Sequence, residues 1–167
     1  MALFMKVPFA EGGAKQEKHR GWIKLDLFQF DVERAMAMEK SSMQLRERGV
    51  PRFSEITVCK EMDSSSAATL QNLVGTEGGG EIEIHLVKGS EKSSEATLKY
   101  TFKDAAFSHY AVTCSGDAPY ETLRISYSEL EMKFYAHDEG DKNVTSYNFA
   151  HKLVPPADYR VDPPWHR

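Results

Sequence analysis

A chain of 167 residues with 41% hydrophobic and 28% charged residues and a mean hydropathy of −0.51 has room for one folded domain, and its composition excludes a disordered or membrane-embedded class. Its 21 basic and 25 acidic residues give a net charge of −4 with no basic block, which removes nucleic acid from the expected partners. Lys6 and Glu11 interrupt the N-terminus where a secretory leader needs an apolar run, so cytoplasmic synthesis without membrane insertion is expected.

Leu3, Met5 and Val7 alternate as a first strand. The stretch GWIKLDLFQFDV predicts a second, with Ile23, Leu25 and Leu27 on one face and Trp22, Phe28 and Phe30 on the other. Apolar on both sides, it needs something beyond its own core to cover the outer face. From Glu33 to Arg52 the sequence is rich in Met and charge and shows neither strand alternation nor a closed helical stripe, with Gly49 and Pro51 ending any helix. A loop of this length is usually functional or disordered. RFSEITVCKEM returns to strand through Phe53, Ile56 and Val58.

KEMDSSSAATLQNLVG, Lys60 to Gly75, then reads as the single helix of a β-protein. Asp63 or Ser64 accepts hydrogen bonds from free amides at its start, Ala67, Leu70, Leu73 and Val74 form an apolar stripe, and Gly75 caps its end. It falls short of the roughly 12–15 residues an isolated helix needs, so it must dock on the sheets.

Downstream, GGEIEIHLVKG sets Ile82, Ile84 and Leu86 against Glu81, Glu83 and His85. EATLKYTFKDAAFSHYAVTCS predicts two strands joined near Lys103 and Asp104. In YETLRISYSELEMKFYAH the apolar phase slips at Ser128 and Glu129, as when a strand passes from one sheet to another. After the turn DEGDKN, VTSYNFAHKL supplies the last strand, and the four prolines of VPPADYRVDPPWHR end sheet pairing. The domain is read as residues 1–153, with 154–167 as an extended tail.

Candidate chemistry is sparse. The six histidines form no HxxxH or HxH pair. His85 with Glu81 and Glu83 is the best local cluster, and a solvated strand face explains it more simply. Cys59 and Cys114 fit no metal spacing, and the serines Ser64 to Ser66 suit a helix start better than a nucleophile. No active site, metal or cofactor is expected.

Taken in order, KHRGWIKLDLFQF (Lys18 to Phe30), FSEITVCKEMDSSSAATLQNLVG (Phe53 to Gly75), LRISYSELEMKFY (Leu123 to Tyr135) and NVTSYNFAHKL resemble the haemolysin-coregulated protein (Hcp) family of type VI secretion systems. The similarity spans Met1 to Leu153, and its more specific elements are the His-x-x-Trp-Ile opening and the Lys-Glu-x-Asp junction of strand and helix. The resemblance implies a mainly β fold, a compact β-barrel of two antiparallel sheets with one flanking α-helix, phage-tail-tube-like. It implies a structural subunit whose hexameric rings stack into the inner tube of the machine, are secreted without a signal peptide, and carry or chaperone effectors. The implied partners are other copies of the chain, the tip spike, the contractile sheath and effector cargo in the lumen.

By position, Glu33 to Pro51 matches the family loop that reaches the next ring, with Met36, Met38, Arg46 and Arg48 as contacts. Gln29 matches a position near the lumen, and Trp22, Phe28 and Phe30 are outer-face candidates for packing between ring neighbours. Two departures stand out: the family loop is commonly glycine-rich where this one is charged and Met-rich, and the tail with Trp165 runs past the usual end. The rival readings are a small-molecule-binding barrel of lipocalin or cupin type and a metal enzyme using His85.

Overall fold

The computed structural model describes residues 1–36, 48–75, 79–88, 96–114, 116, 118–137 and 144–153. In chain order the elements are β1 (Ala2–Lys6), β2 (Ile23–Leu25), β3 (Leu27–Gln29), β4 (Val32–Met36), β5 (Arg48–Phe53), β6 (Ile56–Glu61), α1 (Ser66–Val74), β7 (Gly80–Val87), β8 (Ala96–Cys114), β9 (Pro119–Ser126), β10 (Glu129–His137) and β11 (Val144–Lys152). Antiparallel pairing runs β2-β1-β7-β8-β9-β6-β3, with β10 joined to β8 and β11 to β10; β4 and β5 pair separately. Mainly β with one helix, the fold matches the expected class, and the expected barrel holds only in part. Hydrogen bonding leaves the path open between its ends, β2 and β3, which the chain joins through Asp26 alone.

Two sheet-like halves face each other because long strands change halves at corners. β8 pairs with β7 and β10 along its first part and with β9 along its second. It turns at Asp104, whose φ of 48° lies in the left-handed region. Gly79 packs so close that a Cβ there would lie 2.6 Å from the Asp104 carbonyl carbon. Ser128 pins the same corner, donating its N–H to the Lys103 carbonyl at 3.0 Å and its hydroxyl to Asp104 Oδ2 at 2.6 Å. The phase slip read at Ser128 and Glu129 is thus the passage of the chain from β9 to β10, one half to the other.

The core fills the space between the halves with Met5, Ile23, Ile82, Ile84 and Phe102 on one side and Ile56, Val58, Leu123 and Ile125 on the other, all fully buried. At one end of the second half the inward positions turn polar, and Lys60 and Glu121 stand opposite each other in the β6–β9 register with no exposed side-chain surface. Here α1 docks. Its buried face is Ser66, Thr69 and the half-buried Leu73, whereas Leu70 and Val74 are 43% and 74% exposed and Ala67 faces solvent. The predicted stripe is therefore corrected: the docking surface it meets is partly ionic, so small hydroxyl residues face inward. Gly75 does close the helix, its N–H bonded to the Gln71 carbonyl at 3.0 Å.

Candidate assembly surfaces

Alternation in GWIKLDLFQF breaks at Asp26, whose N–H bonds the Cys59 carbonyl. The two faces exchange there: Ile23 and Leu25 point inward before it, Phe28 and Phe30 after it, while Leu27 and Gln29 are exposed. Phe28 lies 5.0 Å and Phe30 5.6 Å from the Tyr100 ring, so both pack inside rather than on the outer face expected for them. Gln29 heads a row of surface residues in register across four strands, Gln29, Thr57, Arg124 and His109. A shallow depression beside it is lined by Asp31, Glu55, Thr57 and Arg124.

Trp22 does lie on the outer face, already partly covered by residues of its own chain. It sits 4.4 Å from the His85 ring and 4.9 Å from His19, with Lys6 Nζ 5.9 Å over its own ring. His19, on a 3-10 turn over Glu17–His19, is buried with its Nε2 2.9 Å from His85 Nδ1. His85 Nε2 faces Glu83 Oε2 at 3.5 Å, which favours the proton on that nitrogen and leaves Nδ1 to accept from His19. Burial, followed by Lys99, His19 and Lys6, holds His85 down at about 3, and burial with Lys99 and Lys18 also lowers His19. Both rings are therefore neutral at pH 7 and serve packing. His19 is the histidine of the His-x-x-Trp-Ile opening, and what the sequence did not show is its pairing with His85, 66 residues away along the chain.

The Lys-Glu-x-Asp junction is a buried ionic clasp. Lys60 Nζ lies 2.6 Å from Glu121 Oε2 and 2.7 Å from Asp63 Oδ1, and also donates to Ser66 Oγ and the Glu61 carbonyl at 3.1 Å each. Tyr110 donates to Glu121 Oε1 at 2.5 Å; burial and this carboxylate push its phenol up to about 12. Burial raises the Asp63 carboxyl, and hydrogen bonds from Lys60 and from Ser65 outweigh it, so the net shift is downward. Asp63 accepts from the Ser65 N–H and hydroxyl, which shapes the helix start one residue later than read. Ser65 and Ser66 belong to this clasp, Ser64 donates its hydroxyl to the Glu11 carbonyl at 3.1 Å, and among the described residues no group of three metal-ligating side chains occurs.

The segment read as a loop at Glu33 to Arg52 is strand at both ends, β4 paired with β5 through a bulge between Arg34 and Met36. Met36 and Arg48 pair across this arm, and Met38 and Arg46 lie outside the described residues. Pro51 and Gly49 stand within β5 instead of ending a helix. The tail, 154–167, also lies outside the described residues.

The apolar surface that stays uncovered is elsewhere. On the inward face of the first half, register aligns Leu3, Leu86, Leu98, Phe134 and Tyr147 in one row and Met5, Ile84, Tyr100, Met132 and Phe149 in the next. Burial decays along both rows toward β10 and β11, where Phe134 on β10 and Tyr147 and Phe149 on β11 are 39%, 60% and 44% exposed. From Thr145 to Ala150 every residue of β11 is exposed, whichever face it takes.

Comparison with known proteins follows this geometry. The family model described as type VI secretion system effector, Hcp, matches residues 4–134. Among solved structures, a type six secretion system protein superposes with a TM-score of 0.81 at 22% identity, covering 91% of this chain and 95% of that one. Hcp1 from Salmonella typhimurium gives 0.72 at 15% identity over 91% and 94%, and the secreted protein Hcp3 from Pseudomonas aeruginosa gives 0.64 at 13% over 92% and 99%. No curated protein matches in sequence.

Proposed function

The chain belongs to the Hcp family of type VI secretion system effectors, matched over residues 4–134, and from that premise we propose that it is a subunit of the machine's inner tube. Six copies close into a ring, rings stack, and the tube leaves the cell through the machine with cargo in its lumen. The observation that carries the reading is the family match, and the mainly β fold shared with Hcp structures supports it. A rival ligand-binding barrel needs a hollow interior, and here Phe28, Tyr100, Phe102 and their neighbours fill the space between the halves.

On this reading the work is mechanical. The row Gln29, Thr57, Arg124 and His109 faces the lumen and meets cargo, while the segment Glu33 to Pro51 reaches the next ring, with Met36, Met38, Arg46 and Arg48 as its contact candidates. The spike and sheath dock on assembled rings rather than on single subunits. Native mass spectrometry tests the reading: six chains of 18.9 kDa make a closed ring of about 113 kDa. A chain that stays monomeric at high concentration rejects it.

A further inference from the structure

The segment from Gly12 to Trp22 doubles back as a narrow hairpin, with the Gly12 N–H donating to the Gly21 carbonyl at 2.8 Å and the Ala14 and Gly21 N–H groups donating to the Trp22 and Ala14 carbonyls at 3.0 Å each. At its base the Ser64 hydroxyl donates to the Glu11 carbonyl. Its 3-10 turn lays His19 on the outward face of the first half, where Lys24, Phe4, His85 and Lys99 stand in one register row. His19 stacks on Phe4 at 4.6 Å and bonds His85, and it seals both from solvent. A two-stranded hairpin is at best marginally stable alone, so these contacts hold it down.

The clip between the two rings has no place for an added proton. His85 Nδ1 is occupied in accepting from His19, so a proton there would set two N–H groups against each other at 2.9 Å. His19 Nδ1 is buried without a hydrogen-bond partner among the described residues, so a charge there would go unsolvated. Lys6 on β1, Lys99 on β8 and Lys18 on the hairpin add positive charge, Lys24 on β2 lies in the same row, and Glu83 on β7 is the carboxylate that opposes them, 3.5 Å from both His85 Nε2 and Lys6 Nζ. Once lifted, both rings regain water and their ordinary basicity. We propose that Gly12 to Trp22 form an acid-released strap, which lets go of the outward face and uncovers Phe4 and His85 while the rest of the fold stays closed. The strap is a property of the single chain and does not rest on the tube reading. The closed form binds fewer protons than the lifted one, since His85 is held down at about 3 against 6.5 when exposed. Opening therefore gains up to about tenfold per pH unit below 6.5 from this ring, and His19, also lowered, adds in the same direction.

Amide hydrogen exchange resolved by NMR tests the strap. Protection of the Ala14, Gly21 and Trp22 N–H groups is expected to fall at least about twentyfold from pH 7 to pH 5, and to stay below that of the β9 amides at both. In His19→Gln with His85→Gln, strap protection is expected to be the same at the two pH values. Strap amides protected as strongly as those of β9 would mean that no local opening exists. Protection that ignores acid, or that falls equally in the double variant, would take control away from the two histidines; each of these results overturns the proposal. Should the double variant already stand open at pH 7, the fall in the unaltered chain decides alone.

Discussion

Lys60 shows how much depends on one side chain. It and Glu121 are both sealed from solvent, 2.6 Å apart, and each is the other's buried counter-charge, with Asp63 on the lysine and Tyr110 on the carboxylate completing the clasp. Lys60→Met is expected to cost about 3–5 kcal/mol, since Glu121 is left charged and buried, whereas Lys60→Met with Glu121→Leu recovers most of the loss; urea unfolding of both variants measures this. His85 makes the pH counterpart. The unfolded chain takes up its proton near pH 6.5, and the folded site resists until about pH 3. Stability is therefore complete above pH 6.5 and falls with acidification through the window between those values, at about 1.4 kcal/mol per pH unit from this ring alone. Urea midpoints at pH 7 and pH 5 are expected to differ less in His85→Gln than in the unaltered protein; an equal difference rejects the assignment. Both sites were half legible. Alternation puts Lys60 in phase with Ile56 and Val58 and Glu121 with Leu123 and Ile125, which marks them as inward charges; their mutual pairing, and that of His19 with His85, is made only by the fold.

At the scale of elements, period-two alternation placed nearly every strand, because the inner face of a strand is read directly from every second residue. It failed where that period breaks. A single residue at Asp26 exchanged the faces of Phe28 and Leu27, since a one-residue slip sends every later side chain to the opposite side. The slip at Ser128 was legible because apolar residues flank it on both sides in changed phase, and Asp26 was not because Leu27 continues the old phase by chance of composition. The helix failed for another reason. Its stripe of Ala67, Leu70, Leu73 and Val74 is apolar by count, yet only Leu73 packs on the core, and the floor beneath the helix start holds Lys60, to which Ser66 turns inward. A polar docking site cannot be seen in the helix sequence by itself.

For the whole molecule, the tube proposal needs a segment that joins one ring to the next, and the arm of β4 and β5 is the candidate. The arm is a separate two-stranded sheet, and two strands alone are marginally stable in water. It is rooted where Phe53 stacks on His151 at 4.8 Å, and Val32, paired with Phe53 at that root, and Val50 beyond it stay exposed. Its two strands approach closely at Gly49, where a Cβ would lie 2.9 Å from the Ala35 carbonyl oxygen. Gly49→Val therefore forces β4 and β5 apart without touching the core between the halves. If the arm reaches the neighbouring ring, as its match to the family loop suggests, this variant is expected to keep the ring mass and the melting temperature of the unaltered protein while losing stacked tubes in electron micrographs. The pairing lost is local, so the effect on stability stays within about 1 kcal/mol. Tubes that persist with Gly49→Val would move the ring-to-ring contact away from Met36, Met38, Arg46 and Arg48, and loss of the ring itself would place the arm in the contact between neighbours within one ring.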